Sequence, residues 1–332
     1  MIGGGLLLIG ILIGMVACLP SSSPNTVIAQ VTAVHTTISQ ATLDQKSSPI
    51  VMPFPTPTAV PVKEGRILFV SSRDGNGEIY VMNDDGSNQT NLTNNLAPEG
   101  NARWSPDGAK IAYASQHDGR IQILVMNADG TGAIQLTNYE LGGQTPSWSP
   151  DGTKIAFDRG RQIFVMNADG SSPERLTDGL GFLNYPSWSP DGKRIAYVYR
   201  RFVTSKSILH IMDADGRNTL QLDGISPVIT YPAWSPDATQ IAFVGEHNQI
   251  YVVNVDGTDL LQVTDLPGVI ADIAWSPDGK KFAFSSTLDN PQPYTCFDTQ
   301  TCTFDIYTVN MSGGNVTRLT TTGNNLSPAW EP

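Results

Sequence analysis

Apolar residues alternate with a period of two over runs of four to six, and Asp, Asn, Gly or Pro ends each run, the signature of short half-buried strands. One such run is large-small-large: Ile111-Ala112-Tyr113, Ile155-Ala156-Phe157, Ile195-Ala196-Tyr197, Ile241-Ala242-Phe243 and Phe282-Ala283-Phe284. A second occurs six times, as Ile79 to Asn83, Ile123 to Asn127, Ile163 to Asn167, Leu209 to Asp213, Ile250 to Asn254 and Ile306 to Asn310. A turn follows, usually Asp-Gly as at Asp129-Gly130, Asp169-Gly170 and Asp256-Gly257, and then a short segment ending in Leu-Thr or similar.

The strand that opens each unit ends in a tryptophan, and all six tryptophans of the chain are used this way: Trp104, Trp148, Trp188, Trp234, Trp275 and Trp330. They lie 44, 40, 46, 41 and 55 residues apart, the period of a four-stranded propeller blade. Ser-Pro-Asp-Gly after the tryptophan supplies fixed φ at Pro106 and positive φ at Gly108, a hairpin turn. Ala238 stands where the other turns have glycine. The expected fold is all-β, a six-bladed β-propeller over residues 63–332. The chain ends on the innermost strand at Trp330, and Arg66 to Ser71 begins as a second strand. The two segments are expected to share one blade and so remove the open sheet edge.

Composition changes the picture ahead of the propeller. Residues 1–18 are apolar and end in Val16-Ala17-Cys18, so they read as a lipoprotein signal with Cys18 as the lipidated residue, or as an uncleaved membrane anchor. Residues 19–62 are Ser, Thr, Pro, Val and Ala with almost no charge, and read as a disordered tether. Both readings put the propeller outside the cytoplasm, at the cell envelope. There Cys296 and Cys302 are expected to form a disulfide. The net charge of −11 disfavours nucleic acid as a partner.

Taken together, Trp-Ser-Pro-Asp-Gly followed by Ile-Ala-Phe and by Ile-Tyr-Val-Met-Asn-x-Asp-Gly resembles the repeat of the TolB-type propellers over residues 66–332. The resemblance implies a propeller working as a cell-envelope binding scaffold. TolB itself carries a folded domain ahead of its propeller, which residues 19–62 are too short and too polar to match.

Function is expected where the repeats differ. Antiparallel strands put the nearly invariant first-to-second and third-to-fourth turns on one face, and the divergent second-to-third and blade-to-blade loops on the other. On the divergent face Arg159, Arg161, Tyr199, Arg200, Arg201, Phe202 and Lys206 form a basic, aromatic-edged patch on an acidic molecule. Such a patch suits an acidic envelope protein surface or an anionic glycan, with paired surface arginines as the bland alternative. The residues three before each tryptophan, Asn101, Thr145, Tyr185, Tyr231, Asp272 and Ser327, are expected at the mouth of the central channel.

Catalytic chemistry is sparse. His35, His117, His210 and His247 are too scattered to share a metal, and no Gly-x-Ser-x-Gly elbow exists. Asp213-Ala214-Asp215-Gly216 lacks the later ligands of a calcium loop. The expectation is a monomeric, non-catalytic binding module without metal or cofactor. The alternative is a glycan lyase or hydrolase acting in the channel.

Overall fold

A computed structural model describes residues 65–332 apart from 118, 139–141, 180, 202–205, 227–228 and 290–302. Among these residues, twenty-four strands form six four-stranded antiparallel sheets, with a single turn of 3-10 helix at Glu246–Asn248. In blade 1 the strands run outward in chain order: β4 (Glu99–Trp104), β5 (Lys110–His117), β6 (Arg120–Asn127) and β7 (Ile134–Gln135). Blades 2 to 5 repeat this over residues 144–175, 182–222, 230–262 and 270–318. Among the described residues, no helix is long and apolar enough to cross a membrane.

The last blade is shared between the chain ends. Its strand order is β24 (Asn325–Trp330), β1 (Arg66–Ser71), β2 (Glu78–Asn83) and β3 (Thr90–Asn91). Ile67 pairs with Trp330 and Ser71 with Asn325. A two-pronged ion pair seals the seam: Arg66 Nη2 donates to Glu331 Oε1 at 2.6 Å and Nε to Oε2 at 2.9 Å, with both side chains largely buried.

Alternation of large and small residues builds the core between blades. Ile111 and Tyr113 pack with Leu68, Ile79 and Val81 of the preceding blade, whereas Ala112 packs with Trp148, Ile155 and Phe157 of the next. The same division holds for Ala156, Ala196, Ala242 and Ala283. A large residue at the alanine position would meet the bulk of the next blade, and overpacking of that kind typically costs about 1–3 kcal/mol.

Two polar devices recur with the blades. In the Ser-Pro-Asp-Gly turn, Ser105 Oγ–H donates to Asp107 Oδ1 at 2.6 Å, and Lys110 N–H returns a bond to Ser105 Oγ at 2.8 Å. The hydroxyl bonds hold Asp107, Asp151, Asp237 and Asp278 below the usual carboxylate range. At the outer edge, the threonine ending each Leu-Thr segment clamps the third strand: Ile123 N–H donates to Thr137 Oγ1 at 2.9 Å, and Thr137 donates to Gln122 Oε1 at 2.8 Å. Thr93, Thr177, Thr264 and Thr320 make the same pair of bonds, and among the described residues blade 3 has no such clamp.

Candidate functional site

Each innermost strand carries a β-bulge just before its tryptophan, where pairing with the second strand slips. At five bulges the third residue before the tryptophan is left-handed: Asn101 (φ 54°), Thr145 (43°), Tyr185 (58°), Tyr231 (51°) and Ser327 (54°). This conformation is costly for tyrosine and for β-branched threonine, so the surrounding sheet must enforce it. Asn101, Thr145, Tyr185 and Tyr231 line a cavity of about 240 Å³ that reaches down to the tryptophans. Asp272 and Ser327 are instead withdrawn into the wall, 1% and 2% exposed.

The reason for that withdrawal is mutual satisfaction. Ser327 donates to Asp272 Oδ2 through its N–H at 2.9 Å and its hydroxyl at 3.2 Å, while Ser285 Oγ–H donates to Oδ1 at 2.6 Å. Blade 2 carries a counterpart with the roles reversed, in which Thr145 donates its hydroxyl to Asp158. Burial nevertheless pushes the Asp158 carboxyl up to about 6, with the Thr145 bond acting against the shift. Burial also raises Asp272, opposed by its serine bonds. Tyr185 and Tyr231 face each other with ring centroids 4.4 Å apart, and burial raises both phenols.

Among the described residues, one cation lines this cavity. Arg103 stands immediately before Trp104, and its guanidinium donates from Nη1 to Ala102 O at 2.8 Å. Part of its surface meets the lumen, yet the ring encloses it, and burial lowers it from the usual arginine range against the pull of Asp272 and Tyr231. Sequence reasoning passed over Arg103. The signal lay in the aligned repeats, which place Ser147, Ser187, Ala233, Ala274 and Ala329 at the same position.

At the rim, Arg161 and Arg200 converge on one ring: their guanidinium carbons lie 4.4 and 5.0 Å from the centroid of Phe182. Arg159 lies over Phe164 at 5.3 Å. The positive charge of Arg200 also acts on the Tyr185 phenol, linking rim to channel. Arg201 and Lys206 are exposed. Asp158 beside Arg159 is buried against Thr145. Tyr199 stacks on His210 at 5.2 Å, so its ring serves the blade as much as the rim. Phe202, Cys18, Cys296 and Cys302 lie outside the described residues. Among the described residues, no three His, Cys, Asp or Glu side chains come together as a metal site.

The family model described as TolB beta propeller domain matches residues 57–162 and 193–332. The chain belongs to the TolB beta propeller family. Among solved structures, this TolB-family chain is similar to TolB from Acinetobacter baumannii, at 20% identity and a TM-score of 0.68, covering 81% of this chain and 67% of that one. It is also similar to a chain of a nidogen/laminin complex, at 11% identity and a TM-score of 0.64, covering 81% and 98%. An oligogalacturonate lyase in complex with manganese matches at 16% identity and a TM-score of 0.52, covering 76% and 73%. At these identities the likeness establishes the fold alone. No curated protein matches the chain.

Proposed function

We propose that this TolB-family propeller is a non-catalytic scaffold of the cell envelope that captures an acidic protein surface through the rim of blades 2 and 3. The convergence of Arg161 and Arg200 on Phe182 carries the reading. Two guanidiniums held against one aromatic ring, with Arg159, Arg201 and Lys206 nearby, are a preorganised anion-recognising group on a molecule of net charge −11. Residues 1–18 act as lipoprotein signal or anchor, Cys18 bears the lipid in the former case, and residues 19–62 tether a monomeric propeller outside the cytoplasm. Cys296 and Cys302 pair in a disulfide. The nidogen/laminin complex is a likeness in which a similar chain belongs to a protein complex.

Capture from intact cells by reversible crosslinking tests this. Arg161→Ala combined with Arg200→Ala should reduce recovery of the partner by about tenfold or more, the effect of removing two charged anchors. Recovery by wild type should fall as salt rises. Equal recovery by the double variant would retire the rim.

A second reading has its own observation. Asp158 and Asp272 are buried carboxylates in opposite blades beside the channel, and the lyase likeness is an enzyme of similar fold. That reading requires turnover of an anionic glycan, abolished by Asp158→Asn.

A further inference from the structure

Five of the six blades place serine or alanine immediately before the tryptophan. In blades 1, 3 and 4 the main-chain carbonyl of the residue at this position accepts the indole N–H of the next tryptophan, and in blade 2 Ser147 Oγ instead accepts from the main-chain N–H of Trp188 at 3.1 Å. Trp148 Nε1 donates to Arg103 O at 3.3 Å, Trp234 Nε1 to Ser187 O at 2.9 Å and Trp275 Nε1 to Ala233 O at 3.1 Å. The side chain takes no part in these bonds. Blade 1 therefore joins the next blade as blades 3 and 4 do, without using the arginine side chain, and the guanidinium stands in the cavity in addition to that bond.

The surroundings of Arg103 leave its charge available. A guanidinium has five N–H donors, and among the described residues one hydrogen bond holds it, to the carbonyl of its own neighbour Ala102. Among the described residues, no carboxylate stands within 4 Å of it. Asp272 attracts it from a distance but already accepts three hydrogen bonds from Ser285 and Ser327. A desolvated guanidinium is a strong recogniser of a planar two-oxygen anion.

The rest of the cavity defines what accompanies that anion. Asn101, Ser147, Ser187, Tyr185 and Tyr231 offer hydroxyl and amide groups around a space of about 240 Å³. That is roughly eight waters at ~30 Å³ each, room for one small molecule. Asp158 and Asp272 in the wall oppose a second negative charge.

We infer that Arg103 makes the channel a binding site for a small hydroxylated monocarboxylate, the carboxylate bound by the guanidinium and the hydroxyls by the polar groups around it. This site is separate from the partner-binding rim and holds whether or not the rim captures a protein.

Calorimetric titration of the full chain with glucuronate and with glucose tests it, the two sugars differing chiefly in the carboxylate. Saturable binding of glucuronate is expected, with glucose at least tenfold weaker. Arg103→Ser installs the residue of blades 2 and 3, so it should fold, melt no lower than wild type without ligand, and lose glucuronate binding by at least tenfold. Arg103→Ala, matching blades 4 to 6, repeats the test in a second background. The Arg161→Ala, Arg200→Ala variant should keep glucuronate binding, separating this site from the rim. Absence of saturable heat with glucuronate, equal binding of glucose, or undiminished binding by Arg103→Ser would each overturn the assignment.

Discussion

At the scale of single residues, the molecule departs from its own repeat in ways that its neighbours explain. Ala238 occupies the glycine position of its turn with φ 59°, beside Gly108, Gly152, Gly192 and Gly279 at 67–72°. Relieving that strain outweighs the entropy glycine adds to the unfolded chain, so Ala238→Gly should raise stability by about 0.5–1 kcal/mol in a thermal melt. Glu78 is a second departure, standing where blades 1, 2 and 4 have Gln122, Gln162 and Gln249 as threonine acceptors. It is buried beside Glu99, whose Oε2 has no partner. Burial raises both carboxyls, and the charge of Glu78 raises Glu99 further. A carboxyl raised on folding contributes its stability at low pH and loses it as pH climbs from 4.5 through the folded value. Glu78→Gln should therefore melt higher than wild type at about pH 8, with the difference shrinking towards about pH 4. A constant difference across that range would contradict the shared burial of the pair.

At the scale of strands and blades, what was legible in the sequence was whatever repeats along one strand. Ile111-Ala112-Tyr113 shows its two faces by alternation, and the structure sends the large residues to one neighbouring blade and the alanine to the other. The Leu-Thr echo was visible too, but its cause was not, because Thr137 bonds Gln122 and Ile123 across strands that only the fold brings together. Arg103 and Asp158 escaped for a related reason: alternation tells which residues share a face and not which column meets the central axis. The tryptophans divide in the same non-local way. Trp234 donates its indole N–H to the preceding blade, whereas the Nε1 atoms of Trp104, Trp188 and Trp330 are buried without an acceptor. Trp234→Phe should cost about 1 kcal/mol more than Trp188→Phe in denaturant unfolding, since only the first substitution breaks a hydrogen bond and leaves the Ser187 carbonyl unpaired. Equal losses would contradict the stapling role.

At the scale of the whole molecule, closure turns repetition into asymmetry. With the chain ends joined in one blade through Arg66 and Glu331, all six blades are bound on both flanks, and among the described residues no long strand edge is left to pair with another chain. One face then carries near-identical turns built on Ser, Pro and Asp, while the other carries Arg161, Phe182 and Arg200 and continues inward to Tyr185. Under the proposed function, this divergent face is the working face. Site-specific photocrosslinking in living cells tests it most directly, with the crosslinker placed either at Arg201 on the divergent face or at Asp215 in a third-to-fourth turn on the uniform face. The account predicts a discrete protein adduct from position 201 and none from position 215; adducts from position 215, or from both equally, would contradict it.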